Sequence, residues 1–223
     1  MILGEPIIPE IVCSDAFGRI FNVSRETLSK LESYEVELKR WQRVVNLVSP
    51  ATLPTIWHRH FADSAQLVEL IPPTARRICD VGSGGGFPGL VLAVMLAEHR
   101  DIEVTLVESD TRKAAFLRES ARRMKISVEI MSTRIESDAS VKRLIGVDII
   151  TARALAPMPR LCELVAPVFE CHTSGIFLKG QETAREIDEA RKAWSFDVSL
   201  FQSRTDERGR IAVVKHLARH SEG

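Results

Sequence analysis

The chain has 223 residues, 45% of them hydrophobic and 27% charged, with 30 basic and 30 acidic side chains; this balance is typical of one globular domain with an extension and excludes a disordered or fibrous protein. Its four cysteines, at positions 13, 79, 162 and 171, are too sparse for a disulfide scaffold or a zinc cluster, so no metal is expected. No apolar stretch approaches the roughly 18 residues of a membrane helix, and Glu5 and Glu10 do not suit a secretory signal, so a cytoplasmic protein with no membrane partner is expected.

The first third of the chain is predicted to be helical. Ser24 has the side chain of a helix N-cap, and apolar residues follow it at spacings of three, four and seven, which predicts an amphipathic helix. Prolines near residues 50–54 interrupt this pattern, and a second helix is predicted over residues 57–70. Two prolines at 72 and 73 separate an N-terminal helical extension, residues 1–72, from a catalytic domain, residues 73–223; the two are expected to pack as one unit.

Short apolar runs alternate with amphipathic segments in the rest of the chain. Strands are predicted over residues 77–81, 102–107, 127–131, 147–151 and 175–178, and helices over residues 88–98, 111–125, 136–144, 159–168 and 182–194. Two last runs, residues 196–201 and 210–216, predict an antiparallel hairpin. The alternation indicates an α/β fold with a mostly parallel, seven-stranded sheet covered by helices on both faces. Ligands of such folds bind beyond the carboxyl ends of the strands.

The strongest local motif is the sequence DVGSGGGFPG, residues 80–89, between the first predicted strand and a helix. Glycines there allow a sharp turn and a close approach of a ligand to the main chain. Gly84, Gly86 and Gly89 satisfy the dinucleotide fingerprint G-x-G-x-x-G. Asp80, Gly82 and Gly84 instead form an Asp-x-Gly-x-Gly frame, which resembles the adenosylmethionine-binding loop of Rossmann-like methyltransferases. The carboxylate favours this second frame, because it suits the cationic amino-acid end of that cofactor and would repel a pyrophosphate.

Glu108 ends the second predicted strand. A carboxylate at this place can accept hydrogen bonds from both ribose hydroxyls of an adenosyl group. NAD enzymes and methyltransferases share this feature, so Glu108 indicates a nucleoside ligand without choosing between the two cofactors. The alternative is an acid that caps a helix or faces solvent.

A larger set of short motifs resembles one known family. In chain order the motifs are Trp41, Asn46-Leu47 with Ser49, His60 with Asp63-Ser64, residues 80–89, Glu108-Ser109, residues 113–117, residues 134–136, Asp148 with Arg153-Ala154, and residues 178–180. Their order and spacing are similar to those of the small-subunit ribosomal RNA methyltransferase G family, once called glucose-inhibited division protein B. The resemblance covers about residues 28–216.

This resemblance implies a Rossmann-like class I methyltransferase with S-adenosylmethionine as cofactor. The family's product is N7-methylguanine in the 530 loop of 16S ribosomal RNA, so the partner would be 16S RNA or the 30S subunit, and no obligate protein partner is indicated. Gly82 and Phe87 would line the cofactor pocket and Glu108 would hold the ribose. Ile135-Glu136 would contact the adenine, and Arg153 would face the reaction cleft.

The chemistry expected at the fourth strand agrees with an N7 acceptor. Methylation at a pyrimidine C5 would need a cysteine nucleophile there, and methylation of an exocyclic amine usually shows Asp/Asn-Pro-Pro-aromatic; residues 151–156 contain neither. Guanine N7 has a free lone pair, so its methylation needs alignment rather than deprotonation. Arg153 is the candidate catalytic residue, orienting the guanine or a flanking phosphate; alternatively it pairs with a nearby carboxylate. His60 and Asp63 are predicted to tie the N-terminal helices to the catalytic domain.

Basic residues are concentrated between positions 111 and 160, where 11 Lys and Arg accompany 5 Asp and Glu. A neutral chain can therefore have a basic face for phosphate contact, with a solvated helix surface as the alternative. The candidate RNA-binding residues are Arg112, Arg122 and Arg123, after the second strand, and Lys179, after the fifth.

Three other functions stay open on the sequence alone. An NAD-dependent oxidoreductase could use the same glycine loop, and a methyltransferase could act on another acceptor, because pocket motifs do not report the acceptor. The third is a ribosome-associated binding protein with an inactive pocket, against which the intact loop and Glu108 argue.

Overall fold

Two helices precede the sheet in the computed structural model, which describes residues 6–97 and 101–220. Helix α1 spans Ser14–Phe21 and α2 spans Arg25–Trp41. The second begins where predicted, because the Ser24 hydroxyl accepts a hydrogen bond from the backbone N–H of Thr27 at 3.0 Å and so caps the helix. The sequence pattern predicted no helix before Ser24, so α1 is an addition from the structure.

The helix predicted over residues 57–70 is present but changes its winding twice. After a 3₁₀ turn at Pro50–Thr52, a π-helical turn covers Trp57–Ala62, the short helix α3 covers Asp63–Ala65, and a 3₁₀ turn covers Gln66–Leu70. π-helical turns are rare and are frequently found at functional sites. This one carries His60, which is buried against the sheet.

A seven-stranded sheet forms the centre of the molecule, as predicted. Its strands are β1 (Arg77–Val81), β2 (Glu103–Val107), β3 (Glu129–Met131), β4 (Ile149–Arg153), β5 (Ser174–Lys179), β6 (Trp194–Gln202) and β7 (Arg210–Arg219). Their spatial order is β3-β2-β1-β4-β5-β7-β6. The first five are parallel, whereas β7 runs antiparallel to both β5 and β6. The carboxyl ends of the parallel strands share one edge, and the strand order reverses there between β1 and β4, where such folds bind ligands.

Helices between the strands cover the sheet. They are α4 (Gly89–Leu96), α5 (Thr111–Met124), α6 (Asp138–Leu144), α7 (Met158–Val165) and α8 (Thr183–Ala190). The helix predicted over residues 88–98 is α4, and Glu98 lies outside the described residues. The largest boundary error is in the helix predicted over residues 182–194, which ends at Ala190 because Trp194 begins β6 and pairs with Arg219 of β7.

The N-terminal helices and the sheet share one hydrophobic core. A single cluster joins Leu31 of α2 to Leu90 of α4 and Ile149 of β4, and α2 packs against both α4 and α5. The expected division into residues 1–72 and 73–223 thus falls across a continuous core, although residues 1–5, 98–100 and 221–223 lie outside the described part. Among the described helices, none is long and apolar enough to span a membrane.

Candidate active site

The glycine-rich loop begins at the carboxyl end of β1 and bends over β2. The backbone N–H groups of Gly82 and Ser83 both donate to the carbonyl of Val107, at 2.9 and 3.1 Å. Gly82 and Gly86 have φ values of +66° and +88°, a region that glycine adopts without the strain of a side chain. A Cβ at Gly86 would lie 2.5 Å from the hydroxyl oxygen of Tyr34. The shape of the loop therefore depends on glycine at these positions.

Asp80 lies beneath this loop rather than on its surface. Its side chain is 0% exposed, and its two carboxylate oxygens accept hydrogen bonds from the Thr151 hydroxyl at 2.8 Å and the Gly89 N–H at 3.2 Å. Burial raises the pKa of Asp80 to about 6, and these hydrogen bonds offset part of the effect. The carboxylate joins the start of α4 to β4, and its expected contact with the amino-acid end of a cofactor stays a prediction.

Glu108 lies at the carboxyl end of β2, next to the loop, as predicted. Its side-chain oxygens accept hydrogen bonds from the backbone N–H groups of Gly84, at 2.8 Å, and Asp110, at 2.7 Å. A carboxylate has about four acceptor positions, so these two bonds leave lone pairs for further donors such as ribose hydroxyls. Glu108 can hold a ligand and the loop at the same time.

A cavity of about 700 Å³ opens beside the loop, and it is rich in positive charge. Its walls come from the glycine loop, residues 47–52, the π-helical turn, the ends of β4 and β5, and the β6–β7 turn. Its charged lining residues are the basic Arg59, Lys113, Arg153, Lys179, Arg208 and Arg210 and the acidic Asp63 and Asp206. Six basic against two acidic groups give a formal excess of four, although the whole chain is neutral.

Arg153, the last residue of β4, lines this cavity and is held by the π-helical turn and the residue after it. Its Nη1 donates to the carbonyl of Arg59 at 3.0 Å and to a carboxylate oxygen of Asp63 at 3.4 Å. Its Nη2 donates to Nδ1 of His60 at 2.5 Å. The guanidinium carbon lies 5.2 Å from the centroid of the Phe87 ring. The two alternatives for Arg153, facing the cleft and pairing with a carboxylate, are both present.

His60 and His58 are both held between protein groups. Burial, followed by the charges of Arg153 and Arg59, lowers the pKa of His60 to about 3, so its ring is neutral at physiological pH. The ring of His58 bridges the N–H of Ile11, at 3.3 Å, and the carbonyl of Thr205, at 2.9 Å. His60 ties the extension to β4 through its hydrogen bond with Arg153, as predicted. Within residues 6–97 and 101–220, no group of three His, Cys, Asp or Glu side chains could hold a metal ion.

Ile135 and Glu136 follow β3 and lie outside the walls of the cavity. Ile135 is buried in the hydrophobic cluster on the other face of the sheet, and the Glu136 carboxylate lies 3.8 Å from Arg134. The backbone N–H of Glu108 donates to the carbonyl of Met131 at 3.0 Å, which brings the chain after β3 beside Glu108. The contact of these two residues with adenine stays a prediction.

Lys179 is an ion-paired side chain rather than a free cation. Its Nζ lies 2.5 Å from a carboxylate oxygen of Glu186 and donates to the carbonyl of Ala156 at 2.9 Å, and the side chain is only 8% exposed. Glu186 also accepts from the backbone N–H of Met158 at 2.8 Å. The expected approach of Lys179 to RNA phosphate stays a prediction. The pair joins β5 and α8 to the loop after β4.

The three candidate arginines of α5 lie in different surroundings. Arg112, in the first turn, is 72% exposed and lies 3.6 Å from Asp110, on the side of the sheet that carries the glycine loop. Arg122 and Arg123, in the last turn, both bind the Glu119 carboxylate, at 2.7 and 2.8 Å. Ten residues of helix separate them from Arg112 by about 15 Å. The structure therefore favours Arg112 over the other two as a contact near the cavity.

Two side chains of the extension shape the site and were not singled out from the sequence. Tyr34, the only tyrosine of the chain, is fully buried, and its hydroxyl donates to the carbonyl of Gly85. The Gln42 amide donates to the carbonyl of Val48 at 2.8 Å and accepts from the N–H of Leu47 at 3.0 Å, which fixes one wall of the cavity. The sequence does show a single tyrosine on the apolar face of α2, but this pattern does not indicate which loop the side chain contacts.

The loop and its neighbours fit an adenosyl ligand. A Cβ at Gly84 would meet only the carbonyl of Gly82, at 3.7 Å, so the space above this glycine is open to a ligand that approaches the main chain. Glu108 stands beside it with lone pairs suited to hydroxyl donors. The donor and acceptor set therefore suits the adenosyl group of S-adenosylmethionine.

Sequence comparison identifies the family. The family model described as rRNA small subunit methyltransferase G matches residues 27–210. A protein named ribosomal RNA small subunit methyltransferase G from Parvibaculum lavamentivorans is 47% identical over 209 residues, which cover 94% of this chain and 92% of the relative. A protein of the same name from Rhodospirillum rubrum is 43% identical over 205 residues, 92% of this chain and 98% of the relative. The similarity includes both the extension and the sheet.

Solved structures share the fold at low sequence identity. An O-methyltransferase from Bacillus cereus in complex with SAH has a TM-score of 0.57 and 16% identity, over 91% of this chain and 96% of the other. A variant of MtNAS in complex with S-adenosylmethionine has a TM-score of 0.53 and 14% identity, over 92% and 84%. These likenesses show the class I fold, and the sequence matches show the family. The chain belongs to the rRNA small subunit methyltransferase G family of S-adenosylmethionine-dependent methyltransferases.

Proposed function

We propose that this protein transfers a methyl group from S-adenosylmethionine to N7 of a guanine in the 530 loop of 16S ribosomal RNA. The cavity lies at the carboxyl ends of β1, β4 and β5, where the fold binds its ligands, and its formal charge excess suits a substrate that carries phosphates. A substrate in the small ribosomal subunit would also place the enzyme in the cytoplasm.

One observation carries the choice of N7: the imidazole beside Arg153 is not available to take a proton. The Nδ1 lone pair of His60 accepts from Arg153, and the pKa of His60 is lowered to about 3 by burial. The Asp63 carboxylate accepts from Arg153 and from the Thr205 hydroxyl, at 3.4 and 2.8 Å. An exocyclic amine must lose a proton during methylation, whereas guanine N7 attacks with an existing lone pair. A site in which the histidine beside Arg153 is not available as a base therefore suits N7.

The cofactor supplies an electrophilic methyl group on a sulfonium sulfur. We assign its binding to loop residues Gly82, Gly84 and Phe87, to Glu108 at the ribose and to Ile135-Glu136 at the adenine, with Asp80 supporting the loop from below. Arg153 is assigned to the substrate side of the cavity, where its guanidinium donates to the guanine or a flanking phosphate and also borders the cofactor pocket through Phe87. Alignment of donor and acceptor is then the main catalytic contribution of the protein.

The RNA contacts are assigned to the rim of the cavity. Arg208 is an exposed lining residue of the β6–β7 turn, and Arg112 is exposed at the start of α5. Arg59 is partly neutralised by Asp206, 2.7 Å away. Phosphate contacts of this kind position the RNA, and the affinity they provide decreases steeply with salt.

A methyltransferase acting on another acceptor is the second candidate, because the cofactor pocket does not select the substrate. The open, positively charged cavity argues against a small neutral acceptor. An NAD-dependent oxidoreductase is disfavoured by the family match and by structural neighbours that hold S-adenosylmethionine or SAH.

The test is methylation with labelled S-adenosylmethionine of 30S subunits and of naked 16S RNA, followed by mapping of the modified nucleotide. We expect one guanine in the 530 loop, identified as N7-methylated by strand cleavage after reduction. The matched control is RNA with 7-deazaguanine at that position, which keeps the pairing edge and lacks the acceptor nitrogen. Incorporation into the 7-deaza substrate, or mapping to another atom, would overturn the proposal.

A further inference from the structure

We propose that His60 is a positioning residue: with Thr52 it forms a relay that aims the guanidinium of Arg153 into the cavity. The inference rests on the proposed function, which places Arg153 at the substrate side. It adds a residue from the extension, more than ninety positions earlier in the chain, to the machinery at the end of β4.

Hydrogen-bond complementarity determines which ring nitrogen of His60 carries the proton. Arginine offers only donors, so Nδ1, 2.5 Å from Nη2 of Arg153, must be the unprotonated acceptor. A neutral imidazole then has its proton on Nε2, 2.7 Å from the Thr52 hydroxyl oxygen. Thr52 can accept this proton because its own hydroxyl donates to the carbonyl of Ser49 at 2.8 Å. Every donor in the relay therefore faces an acceptor.

The relay holds one edge of the guanidinium and leaves the rest available. The acceptors from Arg59, His60 and Asp63 engage three of the five N–H groups. In the described part of the chain, no acceptor is bound to the other two. Arg153 lines the cavity, so these two N–H groups are the ones that a substrate oxygen can use. The orientation of Arg153 is thus set by partners on the side of the extension.

Phe87 couples this arrangement to the glycine loop. Its ring centroid lies 5.0 Å from that of His60 and 5.2 Å from the guanidinium carbon of Arg153. The aromatic face stabilises the guanidinium cation, and its contact with the His60 ring restricts movement of the imidazole. A shift of the His60 ring would therefore move both Arg153 and a residue assigned to the cofactor pocket.

A neutral acceptor has an advantage over a carboxylate at this position. Asp63 already contributes one negative charge near Arg153, 3.4 Å from Nη1. A second carboxylate would cancel the positive charge that the cavity needs for a phosphate or a guanine oxygen. A buried imidazole orients the guanidinium and leaves its charge in place.

The experiment is a double-mutant cycle built on two variants of nearly equal shape. Asn places an amide oxygen as many bonds from Cβ as Nδ1 of histidine, so His60→Asn keeps an acceptor for Arg153; His60→Leu keeps the shape and removes the acceptor. Single-turnover methyl transfer to 30S subunits and cofactor Kd are measured for both, for Arg153→Ala and for His60→Leu/Arg153→Ala. The free energy of unfolding is measured for each variant as a control.

We expect Arg153→Ala to reduce the single-turnover rate, the cofactor affinity or both, and His60→Leu to reduce the same quantity by roughly tenfold or more. Small misplacements of catalytic groups have effects of this size. His60→Asn should stay within about threefold of the native chain, and the double variant should be no worse than Arg153→Ala alone. Losses that multiply in the double variant would overturn the relay. So would a His60→Leu protein that loses only stability, or an Arg153→Ala protein that loses neither rate nor affinity.

A second readout does not depend on activity. Nitrogen-15 NMR of the His60 ring should show a proton on Nε2, an unprotonated Nδ1 and no titration between about pH 5 and 8. Arg153→Ala removes the donor to Nδ1 and should raise the fraction protonated on Nδ1. A native ring protonated on Nδ1 would contradict the inference even if His60→Leu does not fold.

The two proposals can fail separately, because methyl incorporation and cofactor Kd are measured separately. A methylation site other than guanine N7 would refute the proposed function, but the double-mutant cycle would still report whether His60 positions Arg153.

Discussion

The hydroxyl of Tyr34 donates a hydrogen bond to the carbonyl of Gly85, so a helix of the extension holds the glycine loop from above. The Tyr34 ring also lies within 5.3 Å of the Phe61 ring and 5.2 Å of the Phe87 ring, measured between centroids. Asp80 supports the same loop from below through Gly89. The extension therefore contacts the glycine loop that we assign to the cofactor, and it is also part of the core.

Removal of this hydroxyl should weaken both the fold and cofactor binding. Tyr34→Phe keeps the ring contacts and leaves the Gly85 carbonyl without its donor, which costs about 1–3 kcal/mol for a buried group. Denaturant unfolding should show this loss, and calorimetry should show weaker binding of S-adenosylmethionine. Unchanged values for both quantities would mean that the hydroxyl does not hold the loop.

A methyl group at Gly86 should distort the loop directly. Gly86→Ala forces φ of +88° on an alanine and brings Cβ to 2.5 Å from the Tyr34 oxygen. Strain and overlap together should cost about 2–4 kcal/mol. The matched control is Gly180→Ala, because a Cβ there has no atom within 4 Å. Its unfolding free energy should stay within about 0.5 kcal/mol of the native value, and equal losses in the two variants would contradict the structure.

Lys179 and Arg112 should behave differently in RNA binding. Lys179→Met breaks the ion pair with Glu186 and should reduce stability by about 1–3 kcal/mol. It should leave the salt dependence of RNA binding unchanged, because the ammonium is buried and paired. Arg112→Gln should reduce the slope of log K against log salt by about one and leave stability nearly unchanged. A reduced slope for Lys179→Met would show that its ammonium reaches phosphate in the complex.

Acid should destabilise the protein partly through His60. The folded pKa, about 3, lies below the usual value of 6.5, so the unfolded chain binds the proton more readily between these values. The stabilisation is complete above pH 6.5 and is lost as the pH falls toward 3; at pH 5 about 2 kcal/mol should be gone. Burial raises the pKa of Asp80 to about 6, which acts in the opposite direction below pH 6.

The His60→Asn variant separates these two effects, because it retains Asp80. Unfolding free energies of native protein and variant, measured from pH 8 to 5, should differ by an amount that changes by about 2 kcal/mol over this range. Parallel pH profiles would show that the His60 ring titrates in the folded protein near its usual pKa of 6.5.

Local patterns were sufficient for the elements that frame the site. β1 was predicted over residues 77–81 and has these bounds, because a short apolar run ending in glycine has few alternatives. The helix predicted to begin at residue 111 does so as α5, because the Asp110 side chain accepts from the N–H groups of Arg112 and Lys113 at 2.8 and 3.3 Å. Such capping involves neighbours in the sequence and can be inferred from them.

Long-range contacts explain what the predictions from the sequence did not include. Trp194 fits the apolar face of a helix, yet its pairing with Arg219 in the hairpin makes it a strand residue. Asp80 and Lys179 are both predicted to meet ligands, and the structure adds partners from other elements, Thr151 and Glu186. Nothing within a few residues of either side chain indicates these partners.

The sequence alone was enough to establish the alternation of strands and helices, the glycine turn after the first strand and the acid after the second, because these depend on residues close together in the chain. Only the tertiary structure decided which charged and polar groups remain free for a ligand. Arg153 meets His60 across 93 positions and Tyr34 meets Gly85 across 51. Burial and hydrogen bonding between such distant residues determine whether a side chain is a base, a donor or part of the scaffold, and no local pattern contains that information.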